Sequence, residues 1–233
     1  MNKQSNVYTL IYIIVLVVLV GTALAITAIS LKPRQQANAD ADKMRQILAS
    51  VNVDAGTDAI ATYNEYITES FVVNEDGAVD SNADAFAVDV AKQSKASATE
   101  RLLPVYKCTL SDGVVKYILP MYGAGLWGPI WGYVSVDADG TTIYGAYFAH
   151  QGETPGLGAE IEKPAFSSQF AGKQLFRNGT FMPVAVVKAG QHPADDADYV
   201  DGISGGTITS KGVGAMIDNC LRPYSAFLES LNK

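Results

Sequence analysis

The sequence is poor in the residues that build metal centres. Its 233 residues include two histidines and two cysteines, and Cys108 and Cys220 stand far apart without C-x-x-C spacing. A zinc or iron–sulfur site made by this chain alone is therefore not expected. The two thiols could pair in an oxidising compartment or lie buried as free thiols, and their spacing does not choose between these alternatives.

Basic charge is also scarce. Lys and Arg together number 17 against 24 Asp and Glu, which gives a formal net charge of -7, and no basic run occurs. Proteins that bind nucleic acids neutralise phosphates with Lys and Arg, so no nucleic-acid partner is expected. The chain also lacks a Walker lysine and a Rossmann fingerprint, and no G-x-S-x-G turn surrounds Ser204. These absences disfavour a nucleotide-binding P-loop, a dinucleotide fold and a serine hydrolase.

Charge is absent altogether from residues 7–31. About 20 apolar residues in a helix cross the hydrocarbon core of a bilayer, so the pattern predicts a tail at 1–9, a transmembrane helix at 10–31 and a linker at 32–40. Ala23-Leu24-Ala25 resembles a signal-peptide cleavage site. The apolar run extends beyond the length of an ordinary signal core, which favours a retained anchor.

Residues 41–233 are predicted to form one α+β domain, because helical patterns precede and follow a run of strands. Met44, Ile47, Leu48 and Val51 recur at helical spacing after Asp40 and Asp42, which suit a helix start. A second helix is predicted to place Ile60, Tyr63, Ile67 and Phe71 on one face.

Two β-hairpins are predicted in the middle of the chain. The first joins 105–110 to 114–120 through Ser111-Asp112-Gly113, and the second joins 130–136 to 141–148 through Asp137-Ala138-Asp139-Gly140. A further strand is predicted at 181–187. The last helix, around Val213 to Leu231, contains Pro223, which should kink or split it.

Three glycine-rich stretches carry the candidate chemistry. The last of them, Asp201 to Ser210, places hydroxyl side chains around Gly205-Gly206 just before the final helix. Backbone N–H groups at a helix start, approached closely where glycine lacks a Cβ, form a ready anion site. The alternative is a Ser/Thr-capped helix after a turn. The other two stretches are Gly123 to Pro129 and His150 to Gly158.

Three motifs in this order resemble one family. They are Gly125-Leu126-Trp127, His150-x-x-Glu153-Thr154-Pro155-Gly156-Leu157-Gly158 and Asp201-x-x-Ser204-Gly205-Gly206-Thr207. Together with the N-terminal span, they resemble the C subunits (NqrC) of sodium-translocating NADH:quinone oxidoreductases. Those subunits belong to an FMN-binding domain group that also includes the G subunit of Rnf complexes.

The resemblance implies a covalent flavin. The family's motif reads Asp-x-x-Ser/Thr-Gly-Ala-Thr, and its last threonine, here Thr207, carries FMN through a phosphoester bond. Gly206 departs from the usual alanine, which puts recognition by the flavin transferase in doubt. An ApbE-type transferase using FAD and magnesium, with release of AMP, is the implied partner.

The resemblance also implies a set of residues around the cofactor. Ser204, Gly205, Gly206 and Thr209 are expected near the phosphate, while Glu153, Thr154, Gly156, Leu157 and Gly158 form a loop beside the isoalloxazine, and Leu126 and Trp127 lie on its other side. Asp201 is expected to cap the turn or to assist the metal of the transferase.

By the same resemblance, the chain is an electron carrier within a multi-subunit membrane oxidoreductase, between an iron centre and the FMN of the B subunit. Its domain is expected in the periplasm, anchored in the inner membrane. The charges beside the span, Lys3 against Lys32 and Arg34, do not decide orientation. The alternatives are an Rnf-type G subunit with the same cofactor and a membrane-anchored binding domain without a redox role.

Overall fold

The first helix of the structure contains the whole predicted membrane span. The structure, a computed structural model, describes residues 6–80 and 82–232. Helix α1 comprises Asn6–Ala49 and is long and apolar enough to cross a membrane. At 1.5 Å per residue, the segment 10–31 measures about 33 Å, close to the thickness of a bilayer's hydrocarbon core. Internal contacts divide the chain into two compact units, 1–43 and 44–233.

The structure places residues 32–40, which were predicted as a linker, inside α1. Asp40 and Asp42 therefore do not begin a new helix. The stretch is rich in alanine and glutamine, which favour helix, and Gln36 Nε2 donates to Asp40 Oδ1 at 2.8 Å one turn later. Pro33 lies within the helix, where it removes one backbone donor without ending the element.

Helix α2 (Ala59–Tyr66) is shorter than the sequence pattern predicts. The Asp58 side chain caps it by accepting from the backbone N–H of Ala61 at 3.0 Å. The chain then enters strand β1 (Ile67–Val73), so the prediction of a helical face that includes Ile67 and Phe71 was wrong. The β-branched and aromatic residues of this segment are held by pairing with a strand more than 30 residues later.

A six-stranded antiparallel sheet forms the centre of the domain. After β1 follow β2 (Val79–Asp80), the short helix α3 (Val90–Gln93), and then β3 (Leu103–Thr109), β4 (Val115–Ala124), β5 (Pro129–Asp137) and β6 (Ile143–His150). The order is β2-β1-β3-β4-β5-β6. Both predicted hairpins are confirmed. Gly113 and Gly140 occupy their turns with φ of 82° and 65°, which favour glycine.

Both faces of the sheet are buried. The neighbouring residues Ile118 and Leu119 of β4 point to opposite faces and are each fully buried, in two different hydrophobic clusters. Ile47 and Leu48 at the end of α1 belong to the cluster that contains Ile118. The C-terminal elements cover the face of Leu119.

The chain from His150 onward builds the second face. Helix α4 (Pro164–Ser167) precedes the hairpin of β7 (Phe176–Arg177) and β8 (Thr180–Phe181), and β9 (Ala185–Val187) pairs in parallel with β10 (Tyr199–Asp201). The strand predicted at 181–187 is therefore divided into two short strands. Pro183 lies in the gap, where it has no N–H to donate to a ladder.

Two helices end the fold. Helix α5 (Thr207–Leu221) packs against β4, and α6 (Ser225–Leu231) follows a 3₁₀ turn at Arg222–Tyr224. The predicted interruption at Pro223 is confirmed. Cys108 and Cys220 are both buried free thiols. The α+β class predicted from the sequence is thus the observed one.

Candidate functional site

The hydroxyl-rich motif lies at the start of α5. Gly206 occupies the N-cap position and Thr207 is the first helical residue. The turn before it closes through Gly206 N–H to Ile203 O at 3.0 Å, with Gly205 at φ 77°. A left-handed conformation at this point requires glycine in practice. The backbone thus matches the expected helix start, although a glycine rather than a capping hydroxyl begins the helix.

The motif is fastened at both ends. Ser210 Oγ accepts from the backbone N–H of Ile203 at 2.9 Å, which ties the first turn of α5 to the preceding loop. Asp201 ends β10, where its backbone N–H donates to Gln169 Oε1 at 2.9 Å and its carbonyl accepts from Gln169 Nε2 at 3.3 Å. The side chain of Asp201 is exposed at the edge of this loop.

Glu153 connects the other two motifs to α5. Its carboxylate accepts from Thr209 Oγ1 at 2.5 Å and from the backbone N–H of Trp127 at 2.8 Å. The side chain is only 4% exposed, and Thr209 only 1%. A buried carboxylate must be paired or hydrogen-bonded, and here the donors come from two other parts of the chain. The three motifs of the sequence therefore meet at one side chain.

The surroundings of Glu153 favour its charged form. Burial on its own acts to raise the pKa of this carboxyl. The hydrogen bond from Thr209 and those from the backbone of Trp127 and Leu126 outweigh that effect, so the pKa lies below its ordinary value. The nearby His150 acts in the same direction, and its Nδ1 accepts from the Glu153 backbone N–H at 3.1 Å.

Two glycines make room for this carboxylate. A Cβ added at Gly125 would lie 2.5 Å from Glu153 Oε1, and one added at Gly158 would collide with Glu153 Oε2 and Thr209 Oγ1. Side chains at these positions would displace the carboxylate from its donors. The glycines in the first two motifs thus serve close packing around Glu153.

The loop after Glu153 packs against the hydroxyl motif. Leu157 Cδ2 would lie 2.7 Å from a Cβ added at Gly205, so the leucine rests against the backbone of that glycine. The carbonyl of Thr154 accepts from Leu157 N–H at 3.1 Å, while Gly156 supplies a φ of 75°. These bonds give the loop a defined shape.

Large apolar side chains remain exposed around this region. They are Leu126 at 48%, Trp127 at 69%, Leu157 at 42% and Ile208 at 56%. Exposed apolar groups clustered near polar donors are typical of a ligand site. An extended aromatic ring is a suitable ligand for such side chains.

A cleft of about 340 Å³ opens beside Thr207. Its walls are the loop after β9 and the motif at the start of α5, and it is lined by Val186, Val187, Lys188, Ala189, Gln191, Gly202, Ile203, Ser204, Gly205, Thr207, Ser210 and Lys211. An exposed threonine hydroxyl, a glycine backbone and two lysines thus surround one space. These groups fit a phosphate-bearing cofactor.

Most of the predicted residues meet around this region, but in three roles. Ser204, Gly205 and Thr207 line the cleft, whereas Thr209 is buried and its hydroxyl is engaged by Glu153. Leu126, Trp127 and Leu157 present exposed apolar side chains.

Sequence reasoning missed Gln169, Lys188 and Lys211. Lys211 lies four residues after Thr207 in α5, so helical spacing could have indicated it, whereas Lys188 and Gln169 come from distant segments.

The chain matches known proteins over nearly its whole length. The family model of the FMN-binding domain matches residues 125–222. The C subunit of the Na(+)-translocating NADH-quinone reductase of Vibrio anguillarum is 34% identical, over 91% of this chain and 89% of that protein.

Two solved structures are also similar. The crystal structure of the corresponding Na(+)-translocating NADH-quinone reductase protein from Parabacteroides distasonis has a TM-score of 0.79 at 56% identity, covering 85% of this chain and 96% of that one. The crystal structure of Shewanella oneidensis NqrC has a TM-score of 0.69 at 28% identity, covering 84% and 98%.

The fold and the site define an FMN-binding domain of α+β architecture. The chain belongs to the NqrC family, the C subunits of the Na(+)-translocating NADH-quinone reductases, which are oxidoreductase complexes.

Proposed function

We propose that this chain is a membrane-anchored electron carrier with FMN joined to Thr207 through a phosphoester bond. The observation that carries the proposal is the contrast between the two threonines of the motif. Thr207 is exposed and lines the cleft, whereas Thr209 is buried and donates to Glu153. Of these two hydroxyls, the first is open to a second protein that brings the flavin.

The attachment is a phosphoryl transfer. Thr207 Oγ forms a bond to the phosphorus on the FMN side of FAD, the bond from that phosphorus to the bridging oxygen breaks, and AMP leaves. The hydroxyl proton passes to solvent or to a base of the transferase, and no electrons are exchanged. An ApbE-type transferase is the proposed partner, and it supplies the FAD and the magnesium that this reaction needs.

The chain's own residues then position the cofactor. FMN, when bound, supplies one- and two-electron redox chemistry, and the protein supplies orientation and solvent access. The Glu153 network holds the loop with Leu157 against the motif, and Leu126 and Trp127 offer apolar surface to the ring. Thr209 acts through Glu153 as a positioning residue.

The proposed setting is the inner membrane of a cell that contains the whole NADH:quinone oxidoreductase. Residues 10–31 form the anchor, and the domain that follows faces the periplasm. The other subunits of the complex are the proposed electron partners, with an iron centre before this chain and the FMN of the B subunit after it. Family membership favours this assignment over an Rnf-type complex.

A pair of variants tests the attachment. Protein produced with an active flavin transferase should give a fluorescent band in a denaturing gel. Thr207→Ala should abolish that fluorescence without unfolding the domain, because the side chain is exposed at the surface, and Thr207→Ser should retain it because the hydroxyl remains. Covalent flavin on Thr207→Ala would overturn the proposed site. An unmodified wild type, with a transferase that modifies another acceptor, would support a binding domain without a redox role.

A further inference from the structure

The cleft beside Thr207 holds two lysines that the proposed function leaves without a role. Lys188 follows β9 directly, and Lys211 lies one helical turn beyond Thr207 in α5. Within the described part of the chain, neither forms a salt bridge. Two segments that are distant in sequence thus bring two unpaired cations to one space.

This placement is unusual for an acidic protein. The formal net charge is -7, and Lys and Arg are outnumbered by Asp and Glu. Two ammonium groups that line one cleft repel each other, and an anion between them removes that repulsion. The cleft also contains the exposed hydroxyls of Thr207 and Ser204. Cationic and hydroxyl donors around one space suit a phosphate.

We propose that Lys188 and Lys211 bind the phosphate through which FMN is joined to Thr207. This inference rests on the proposed function, because it assigns the phosphate to the same hydroxyl. The two lysines hold the donor's phosphate while the new bond forms and hold the phosphodiester afterwards. They are positioning residues for the transfer, and the apolar side chains Leu126, Trp127 and Leu157 remain for the ring.

The first test is the rate of attachment. The full chain, supplied with FAD, magnesium and the transferase, is compared with Lys188→Gln, Lys211→Gln and the double variant. We expect the double variant to react about fivefold more slowly at low salt, since two favourable charges are lost. Raising the salt concentration should reduce that difference, because ions screen exposed charges. Lys188→Arg and Lys211→Arg should restore most of the rate.

A matched control separates local from general charge effects. Lys163→Gln removes the same charge from an exposed position outside the cleft. It should react at the wild-type rate. An equal slowing in Lys163→Gln would overturn the proposal, because the effect would then belong to the net charge of the protein.

The second test excludes an effect on transferase docking. The ³¹P resonance of the attached FMN is recorded on the flavinylated wild type, the two glutamine variants and the Lys163→Gln control. A lysine that contacts the phosphate should shift the resonance when it is replaced, and the control should not. Unchanged ³¹P resonances in both cleft variants would overturn the inference.

The outcome is distinguishable from a failure of the proposed function. If the wild type carries FMN on Thr207 and both cleft variants behave like it in rate and in ³¹P shift, only the role of the lysines is wrong. If the wild type carries no FMN on Thr207, the proposed function itself fails.

Discussion

Thr209 Oγ1 donates a hydrogen bond of 2.5 Å to the Glu153 carboxylate across 56 residues of sequence. Both side chains are buried, and the same carboxylate accepts from Trp127 N–H. One ionised side chain therefore fixes the relative positions of three loops. The geometry of the flavin site depends on this contact more than on any single residue at its surface.

Replacement of Glu153 by glutamine should weaken the domain. Glu153→Gln keeps the shape of the side chain but removes the charge and replaces one acceptor with a donor, so a buried N–H or hydroxyl loses its partner. We expect a loss of about 2 kcal/mol in the free energy of unfolding. Urea denaturation measures it, and the exposed Glu229→Gln in α6 serves as control. Equal stability of the two variants would contradict the assigned role.

The same carboxylate should make stability depend on pH. Its pKa in the folded protein lies below the ordinary value, so the unfolded chain takes up a proton first as pH falls. The stabilisation is complete above the unfolded pKa of about 4.3 and is lost as pH drops through the folded pKa.

The difference in unfolding free energy between wild type and Glu153→Gln should thus be constant from neutral pH to about 5 and shrink below about 4.3. Denaturation curves over that range measure it. A difference that stays constant to a pH of about 3 would show that the charge of Glu153 contributes nothing.

Two glycines in one loop should respond differently to alanine. Gly158→Ala places a methyl group against Glu153 and Thr209, whereas a Cβ at Gly152 meets no atom within 4 Å. We expect a loss of about 1–3 kcal/mol for Gly158→Ala and a change within about 0.5 kcal/mol for Gly152→Ala. Thermal unfolding of both variants provides the comparison. Similar melting temperatures would show that the loop does not need the space at Gly158.

Leu157 should affect the flavin more than the fold. The side chain is 42% exposed and rests against Gly205, so Leu157→Ala should lower the unfolding free energy by less than about 1 kcal/mol. Its loss should change the visible circular dichroism of attached FMN, because one apolar contact to the ring is removed. Val114→Ala, also 42% exposed, lies at the β3–β4 turn and should leave the spectrum unchanged. An unaltered spectrum in Leu157→Ala would place the ring elsewhere.

The local parts of the fold could be predicted from the sequence. Asp112-Gly113 and Asp139-Gly140 indicate two hairpins because their glycines supply positive φ, and Pro223 indicates a break because it cannot continue a helix regularly. Strand β1 was mistaken for helix. Its apolar residues also fit helical spacing, and its pairing with β3 depends on a distant segment.

The site divides in the same way. Its glycines and hydroxyls are contiguous in sequence, so the three motifs and Thr207 could be recognised. The bond from Thr209 to Glu153 and the approach of Lys188 to Lys211 arise only when the chain folds, because each joins segments more than 20 residues apart. Spacing in the sequence carries no information on such contacts.

Peptide mapping tests the central claim most directly. The full chain is produced with its flavin transferase, digested, and analysed by mass spectrometry with fragmentation across residues 201–211. The account predicts one FMN per chain, joined as a phosphodiester to Thr207, with Ser204, Thr209 and Ser210 unmodified. FMN on one of those hydroxyls, or a wholly unmodified peptide while the transferase is active on another acceptor, would contradict it.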